Sequence, residues 1–211
     1  MISTKEVYDS IVSDYSKKVK SDMLDHKYIE RFLFYLKYGA KVLDAGAGNG
    51  SLSFEMQSLH GLNVTAIDFS AEMIKFAKKK YPKIKFKEMD LQNLRFKSKS
   101  FDAIFANYSL IHIKEENFPT VLESFNRVLK NKGYLYISLQ SPNNVKQRDG
   151  YYPLAYKKSS NLFINLIKTE EIKKHLKKAN FKVLEMYQRK PDLKTEFPFN
   201  KLFIIAEKIN M

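Results

Sequence analysis

From residue 40 onward, short apolar runs alternate with stretches of helical periodicity, and this alternation limits the chain to a layered α/β fold. Strands are expected at about 41–45, 63–67, 84–88, 102–106, 133–139, 182–188 and 201–207. Segment 70–80 opens on Ser70 as an N-cap, carries Glu72 in its first turn and ends in lysines, which suits the helix dipole. Segment 118–130 places Phe118, Val121, Leu122, Phe125, Val128 and Leu129 on one helical face. Segment 169–179 starts Thr169-Glu170-Glu171 and ends before Asn180. Only residues 189–200 join the last two strands, which predicts an antiparallel hairpin because a parallel crossover would carry a helix.

Two segments fall outside this alternation. In residues 1–38, Tyr8, Ile11, Val12 and Tyr15 form one helical stripe, and Leu24, Tyr28, Phe32, Tyr35 and Leu36 form another. They predict a helical cap across the edge or the ligand end of the sheet. Residues 140–168 are rich in Tyr and Asn, show little periodicity and are expected to be an irregular substrate lid. One domain is therefore expected over 1–211. It comprises a cap at 1–38, a core at 39–139, the lid at 140–168 and a closing helix and hairpin at 169–211.

Seven glycines serve the whole chain, yet Gly46, Gly48 and Gly50 crowd into "VLDAGAGNG", directly after the first strand. A strand-to-helix turn needs glycine where φ is positive or where a ligand meets bare backbone. In an open α/β sheet the ligand lies at the carboxyl ends of the strands, which is where this turn sits. The spacing is G-x-G-x-G, not the G-x-G-x-x-G of a dinucleotide site, and no Gly-Lys-Ser/Thr marks a P-loop. Asp44, two residues before the first glycine, would repel a pyrophosphate and suit a cation. Asp68 ends the second strand about twenty residues past the central glycine, in the place of a ribose-hydroxyl acceptor. Asp90 ends the third strand and can accept from an exocyclic adenine amine. Phe69 and Leu91 can sandwich a ring between them.

These segments resemble the class I S-adenosylmethionine-dependent methyltransferases. "VLDAGAGNG" resembles the family's glycine motif, and "AIDFSAEMIKFAKK" the segment with the ribose-binding acid. "FKEMDLQNLRF" resembles the adenine-edge segment, "FDAIFANYSLIHI" the fourth-strand motif, and "ESFNRVLKNKGYLYIS" the following helix, turn and strand. The likeness covers roughly residues 40–140, in the family's order and spacing. It implies a Rossmann-like, doubly wound seven-stranded sheet of order 3-2-1-4-5-7-6, strand 7 antiparallel. It also implies S-adenosyl-L-methionine as cofactor and S-adenosyl-L-homocysteine as product. Carried over residue by residue, Gly46, Gly48 and Gly50 approach the methionine moiety, and Asp44 lies near its ammonium. Asp68 holds the ribose hydroxyls, Asp90 and the Leu91 amide read adenine, and Met73 packs near it. Asn107 faces the methionine moiety, and Tyr15 on the N-terminal helix lies over the cofactor. One departure is "KNKG" at 130–133, where the family often has Lys-Pro-Gly-Gly; that turn is structural.

The acceptor is less constrained. A hydroxyl acceptor gains from a general base, and His112, just past the fourth strand, is the candidate. His26, His60 and His175 fall on or beside expected helices and read as surface or packing residues. Tyr108, Tyr151, Tyr152, Phe163 and Asn165 are the expected acceptor lining. The net charge of +14 is a footprint of nucleic-acid binding, but only five of the 37 basic residues are arginines and the lysines are scattered. Asn107-Tyr108-Ser109-Leu110 lacks the prolines of the Asn/Asp-Pro-Pro-Tyr motif of DNA amino-methylating enzymes. A small-molecule acceptor is therefore favoured, oxygen ahead of nitrogen. The alternatives are an RNA or protein methyltransferase and a non-catalytic S-adenosylmethionine-binding regulator. The absence of cysteine removes disulfides, thiolate metal sites and cysteine nucleophiles, and no metal site is expected. No secretory leader pattern opens the chain, and its apolar runs are too short to span a bilayer. A cytoplasmic monomer or weak homodimer without a membrane partner is the expectation.

Overall fold

The computed structural model describes residues 3–18, 24–144, 146–154, 157–193 and 196–209. Its centre is a seven-stranded sheet. The strands are β1 (Lys41–Ala45), β2 (Asn63–Asp68), β3 (Lys85–Glu88), β4 (Phe101–Asn107), β5 (Leu129–Ser141), β8 (Phe181–Arg189) and β9 (Asn200–Lys208). Their order is β3-β2-β1-β4-β5-β9-β8, with β9 antiparallel to both β5 and β8 and the first five parallel. This is the order the family resemblance implies. The short 189–200 connection does close an antiparallel hairpin, as its length requires.

Period-two alternation sends successive strand residues to opposite faces, and two cores result. Leu43, Ile104, Ile137 and Ile204 belong to one, and Val42, Phe105, Tyr136 and Phe203 to the other. Helices α5 (Phe118–Val128) and α6 (Thr169–Lys178) cover the first face. Helices α2 (His26–Phe34), α3 (Ser51–Ser58) and α4 (Ala71–Lys80) cover the second. On α5 the expected stripe of Phe118, Val121, Leu122, Phe125 and Val128 is fully buried, while Leu129 already begins β5.

Segment 140–168 departs from the expected irregular lid. The main-chain ladder of β5 runs on to Ser141, and β6 (Gly150–Leu154) pairs antiparallel with β7 (Lys157–Ile164). Leu154, Leu162 and Ile164 are buried against the first core. The period-two signal is masked because Pro153 sits beside a register shift.

Helix α1 (Thr4–Lys18) lies over the carboxyl ends of the strands. Its Asp9 accepts from the Ser70 hydroxyl (2.6 Å) and the Glu72 amide (3.3 Å), placing a carboxylate at the amino terminus of α4, where the dipole favours it. Hydrogen bonds from Lys5, Ser70 and Glu72 hold the Asp9 carboxyl below its ordinary value despite partial burial. Ser70 also caps α4, accepting from the Met73 amide at 3.1 Å. Ser70→Ala therefore removes the cap and one anchor of α1 together. A loss of about 1–2 kcal/mol is expected in urea unfolding, and an unchanged midpoint would contradict both roles.

Candidate functional site

The turn after β1 lifts the chain away from the sheet. Gly46, Gly48 and Gly50 all take positive φ, of 90°, 52° and 77°. Space adds to the demand at two of them. A Cβ on Gly46 would lie 2.3 Å from the Cβ of Ser109, and one on Gly50 would lie 2.7 Å from the Phe86 ring. At Gly48 a Cβ would meet the Tyr15 ring at 3.4 Å, so α1 roofs the bare backbone there.

Two carboxylates brace this turn. Asp68, at the end of β2, accepts from the Gly48 amide at 2.8 Å and from the Ser70 amide at 2.9 Å. Burial pushes its carboxyl upward, and the two amide bonds oppose that shift. Asp44 is buried beneath the turn and accepts from the Ser53 hydroxyl of α3. Burial raises it to about 7, against the Ser53 bond, and the neighbouring Asp68 adds to the rise.

One cavity of about 490 Å³ runs along the carboxyl ends under α1. Its first compartment is walled by Gly46, Gly48, Asp68, Phe69, Asp90 and Leu91, with Tyr15 overhead and Asn107 and Ser109 at the far side. This donor set fits S-adenosylmethionine. An acid with free lone pairs faces the space, bare glycine backbone lies beside it, apolar Phe69, Met89 and Leu91 stand near Asp90, and the buried Ser109 hydroxyl has no partner among the described residues.

At the end of β4 the backbone turns sharply: Tyr108 takes φ 51°, in the left-handed region. Ser138 on β5 holds the turn, donating to Asn107 Oδ1 at 2.7 Å and accepting from the Tyr108 amide at 2.8 Å. The Tyr108 hydroxyl donates to Asp25 at 2.8 Å, and burial with that neighbouring acid raises it well above the ordinary tyrosine value. Beyond it, His112 closes a 3-10 turn at Leu110–His112. The Phe163 carbonyl lies 2.8 Å from Nδ1, and the Tyr8 hydroxyl lies 2.8 Å from Nε2. A carbonyl only accepts, so Nδ1 carries the proton and Nε2 accepts from Tyr8. Burial lowers His112 to about 4, against the Phe163 bond, and the ring is neutral at pH 7.

The cavity gathers Tyr15, Gly46, Gly48, Asp68, Phe69, Asp90, Leu91, Asn107, Tyr108 and His112 from the sequence expectations. It does not gather the others. Asp44 lies under the turn, Gly50 is buried at its end as the N-cap of α3, and Met73 is packed in the core. Tyr151 is 52% exposed and packs edge-on against Phe163. Tyr152 packs on Phe199 and donates to the Arg148 carbonyl, and Phe163 enters only through its carbonyl. Asn165 is buried beside the 3-10 turn, its main-chain N–H donating to the Ile111 carbonyl at 2.7 Å. The second compartment instead takes Tyr8, Asp25, Gln140, Leu154, Leu162, Glu196, Phe197 and Lys201. Tyr8 was legible only as a stripe residue, and the last three sit in or beside a connection read for its length alone. Away from the cavity, His26, Glu30 and Glu55 bring one ligand-type atom each within 4.8 Å of one another. Sequence reading did not anticipate this grouping, because its members come from two helices; His26 Nε2 lies 3.2 Å from Glu55 Oε1.

Asp44 has a consequence for stability. Between its ordinary value of 3.8 and about 7, the folded chain keeps a proton that the unfolded chain has released. Raising pH across that window therefore costs stability, by at most ~4 kcal/mol. The difference in unfolding free energy between the wild type and Asp44→Asn is expected to shift against the wild type from pH 4.5 to 7.5. A constant difference would show that Asp44 titrates at its ordinary value.

Comparison with known proteins places these features. A family described as "Methyltransferase domain" matches residues 42–133. A demethylmenaquinone methyltransferase of Chlorobaculum parvum is 36% identical over 97 residues, which are 46% of this chain and 39% of that enzyme. The chain thus aligns with about two fifths of that relative's length. A crystal structure of an S-adenosylmethionine-dependent methyltransferase from Methanosarcina mazei superposes with a TM-score of 0.76 at 21% identity, covering 87% of this chain and 97% of that one. The Burkholderia thailandensis 1,6-didemethyltoxoflavin-N1-methyltransferase, solved with 1,6-didemethyltoxoflavin and S-adenosylhomocysteine, gives 0.70 at 20% identity, over 100% of this chain and 92% of that one. The last two establish the likeness of fold. With that fold, residues 42–133, which hold the glycine turn and the three strands after it, match the methyltransferase-domain family.

Proposed function

We propose that the protein transfers the methyl group of S-adenosylmethionine to a small-molecule acceptor held in the second compartment, with oxygen preferred over nitrogen. In this reading Asp68 holds the ribose hydroxyls, and Asp90 with the Leu91 amide binds the adenine edge. Asn107 and the glycine turn receive the methionine moiety, with Asp44 below it and Tyr15 above. Met73 supports the adenine end from the core. When bound, the cofactor supplies a methyl group on a cationic sulfur that becomes neutral on transfer, so the reaction is an in-line displacement that removes one positive charge from the cavity.

The observation that carries the oxygen preference is the Tyr8–His112 pair at 2.8 Å. A hydroxyl acceptor must shed a proton as its oxygen is methylated. The Tyr8 oxygen can accept that proton while its own passes to His112 Nε2, and the Phe163 carbonyl steadies the ring from the other side. His112 then becomes cationic as the cavity loses its other positive charge, so the net charge is unchanged. A low basicity in the free protein is compatible with that role, since the proton arrives only as that charge leaves. The second compartment supports a catalytic protein over a cofactor-binding regulator, and the demethylmenaquinone methyltransferase relative supports a small-molecule acceptor.

Thermal-shift titration with S-adenosylhomocysteine, with NAD as control, tests the cofactor half. A hundredfold excess over the dissociation constant stabilises the fold by about 2.7 kcal/mol. The shift is expected with S-adenosylhomocysteine alone and to shrink in Asp68→Asn; a shift with NAD alone sinks the reading. With labelled methyl donor and a phenol acceptor, Tyr8→Phe and His112→Gln are each expected to lower kcat about 100-fold while S-adenosylhomocysteine still binds. Full activity in both variants would remove the proton-relay role.

A further inference from the structure

We propose that Gln140 and Lys201 form a recognition pair for a neutral hydrogen-bonding edge of the acceptor, a donor beside a carbonyl as in a lactam. The proposal rests on the second compartment being the acceptor site.

The pair is a product of sheet register. β5 and β9 run antiparallel with Gln140 directly opposite Lys201, so the two side chains leave the sheet on the same face. Both line the second compartment, and both residues are only 3% exposed. The Gln140 main chain is fixed, its carbonyl accepting from the Ile167 amide at 3.1 Å. Its side-chain oxygen Oε1 has no hydrogen-bond partner among the described residues. A buried amide oxygen left so has lost water and gained nothing in return, so a donor that reaches it is favoured. Lys201 lies opposite it in the register, with its Nζ 3.4 Å from the Phe197 carbonyl and 5.9 Å from the Tyr108 ring centre.

Charge decides what kind of ligand completes the pair. Arg189 clamps Glu196 through two bonds of 2.8 and 2.6 Å and reaches Asp25 at 2.7 Å. Two acids thus stand with two bases, Arg189 and Lys201, and the polar end is balanced. An acceptor carboxylate would add a buried charge with no counter-charge left for it. A plain hydrocarbon would leave Gln140 Oε1 unsatisfied. A neutral edge avoids both: its N–H or O–H donates to Gln140 Oε1, and its carbonyl accepts from Lys201 Nζ. Ile29, Leu154, Leu162 and Phe197 complete the walls, which suits a flat apolar body behind that edge. Sites built to hydrogen-bond a group reject analogues that lack it far more strongly than apolar pockets reject a methylene.

The test uses protein saturated with S-adenosylhomocysteine and two probes, 2-quinolone and 1-methyl-2-quinolone, which differ in the lactam N–H. Calorimetric titration is expected to give wild type at least a tenfold preference for 2-quinolone. Gln140→Met should bring the two probes within about twofold of each other, while Gln140→Glu, which keeps an acceptor oxygen, should retain the order. Lys201→Met should weaken both probes by a similar factor, since both keep the carbonyl. Equal binding of the probes by wild type, binding of neither, or a preference that survives in Gln140→Met overturns the proposal. Failure of S-adenosylhomocysteine itself to bind is seen before any quinolone is added and takes down the cofactor reading as well.

Discussion

The site depends on one buried carboxylate holding two amides. Asp68 ends β2 and accepts from Gly48 in the turn after β1 and from Ser70 at the start of α4. Those bonds tie the first crossover to the second at the carboxyl ends of adjacent parallel strands, where open sheets keep their ligands. Ser70 passes the constraint outward by capping α4 and donating to Asp9 of α1. Helix α1 in turn carries Tyr15 over Gly48 and Tyr8 to His112. Roof, turn and His112 are therefore parts of one connected chain of contacts that starts at a single aspartate.

The same economy explains why the cavity has two characters. Its first compartment is built from consecutive βα units, so its residues recur at sequence intervals set by strand and helix lengths. Its second is built where β5 meets the antiparallel strand β9 and where the β6–β7 hairpin folds back, so its residues come from distant parts of the chain. Tyr108 marks the junction. Its positive φ turns the chain out of β4, and its hydroxyl reaches Asp25 ahead of α2. The strained backbone is held from both sides, by Ser138 on the amide and by Asp25 on the ring.

This division also sets what was legible. The glycine turn, Asp68 and Asp90 follow from local pattern and spacing, because each lies at or just past the end of one strand, whereas the sheet order came from the family resemblance. The hairpin at 150–164 was hidden by Pro153, and the aromatic residues around it were chosen by type, although side-chain direction turned Tyr151 and Tyr152 away from the cavity. Gln140 and Lys201 could not be paired without the β5–β9 register, which fixes their common face only once the hairpin is closed. Arg189 ends β8 and Glu196 lies within the short connection to β9, whose length was informative but whose contacts were not. His112 was found as a residue type near the right strand; its tautomer came from Tyr8 and Phe163, which lie 104 and 51 residues away.

The chain's net charge of +14 belongs to its surface and runs opposite to the lining of its first compartment. Asp68 and Asp90 face that compartment, and Asp44 lies under its floor, while Lys5 enters only from the rim. A cationic ligand thus leaves a surface of its own sign for a place where the carboxylates of Asp44 and Asp68 are buried. The raised Asp44 measures the cost of that burial. An ammonium placed near it would return the carboxylate to its charged form, so affinity for such a ligand should grow as pH rises through 7. Acidic residues at the carboxyl ends therefore make the fold less stable at neutral pH and the cavity more selective for a cation, and both effects have the same origin in the desolvation of Asp44.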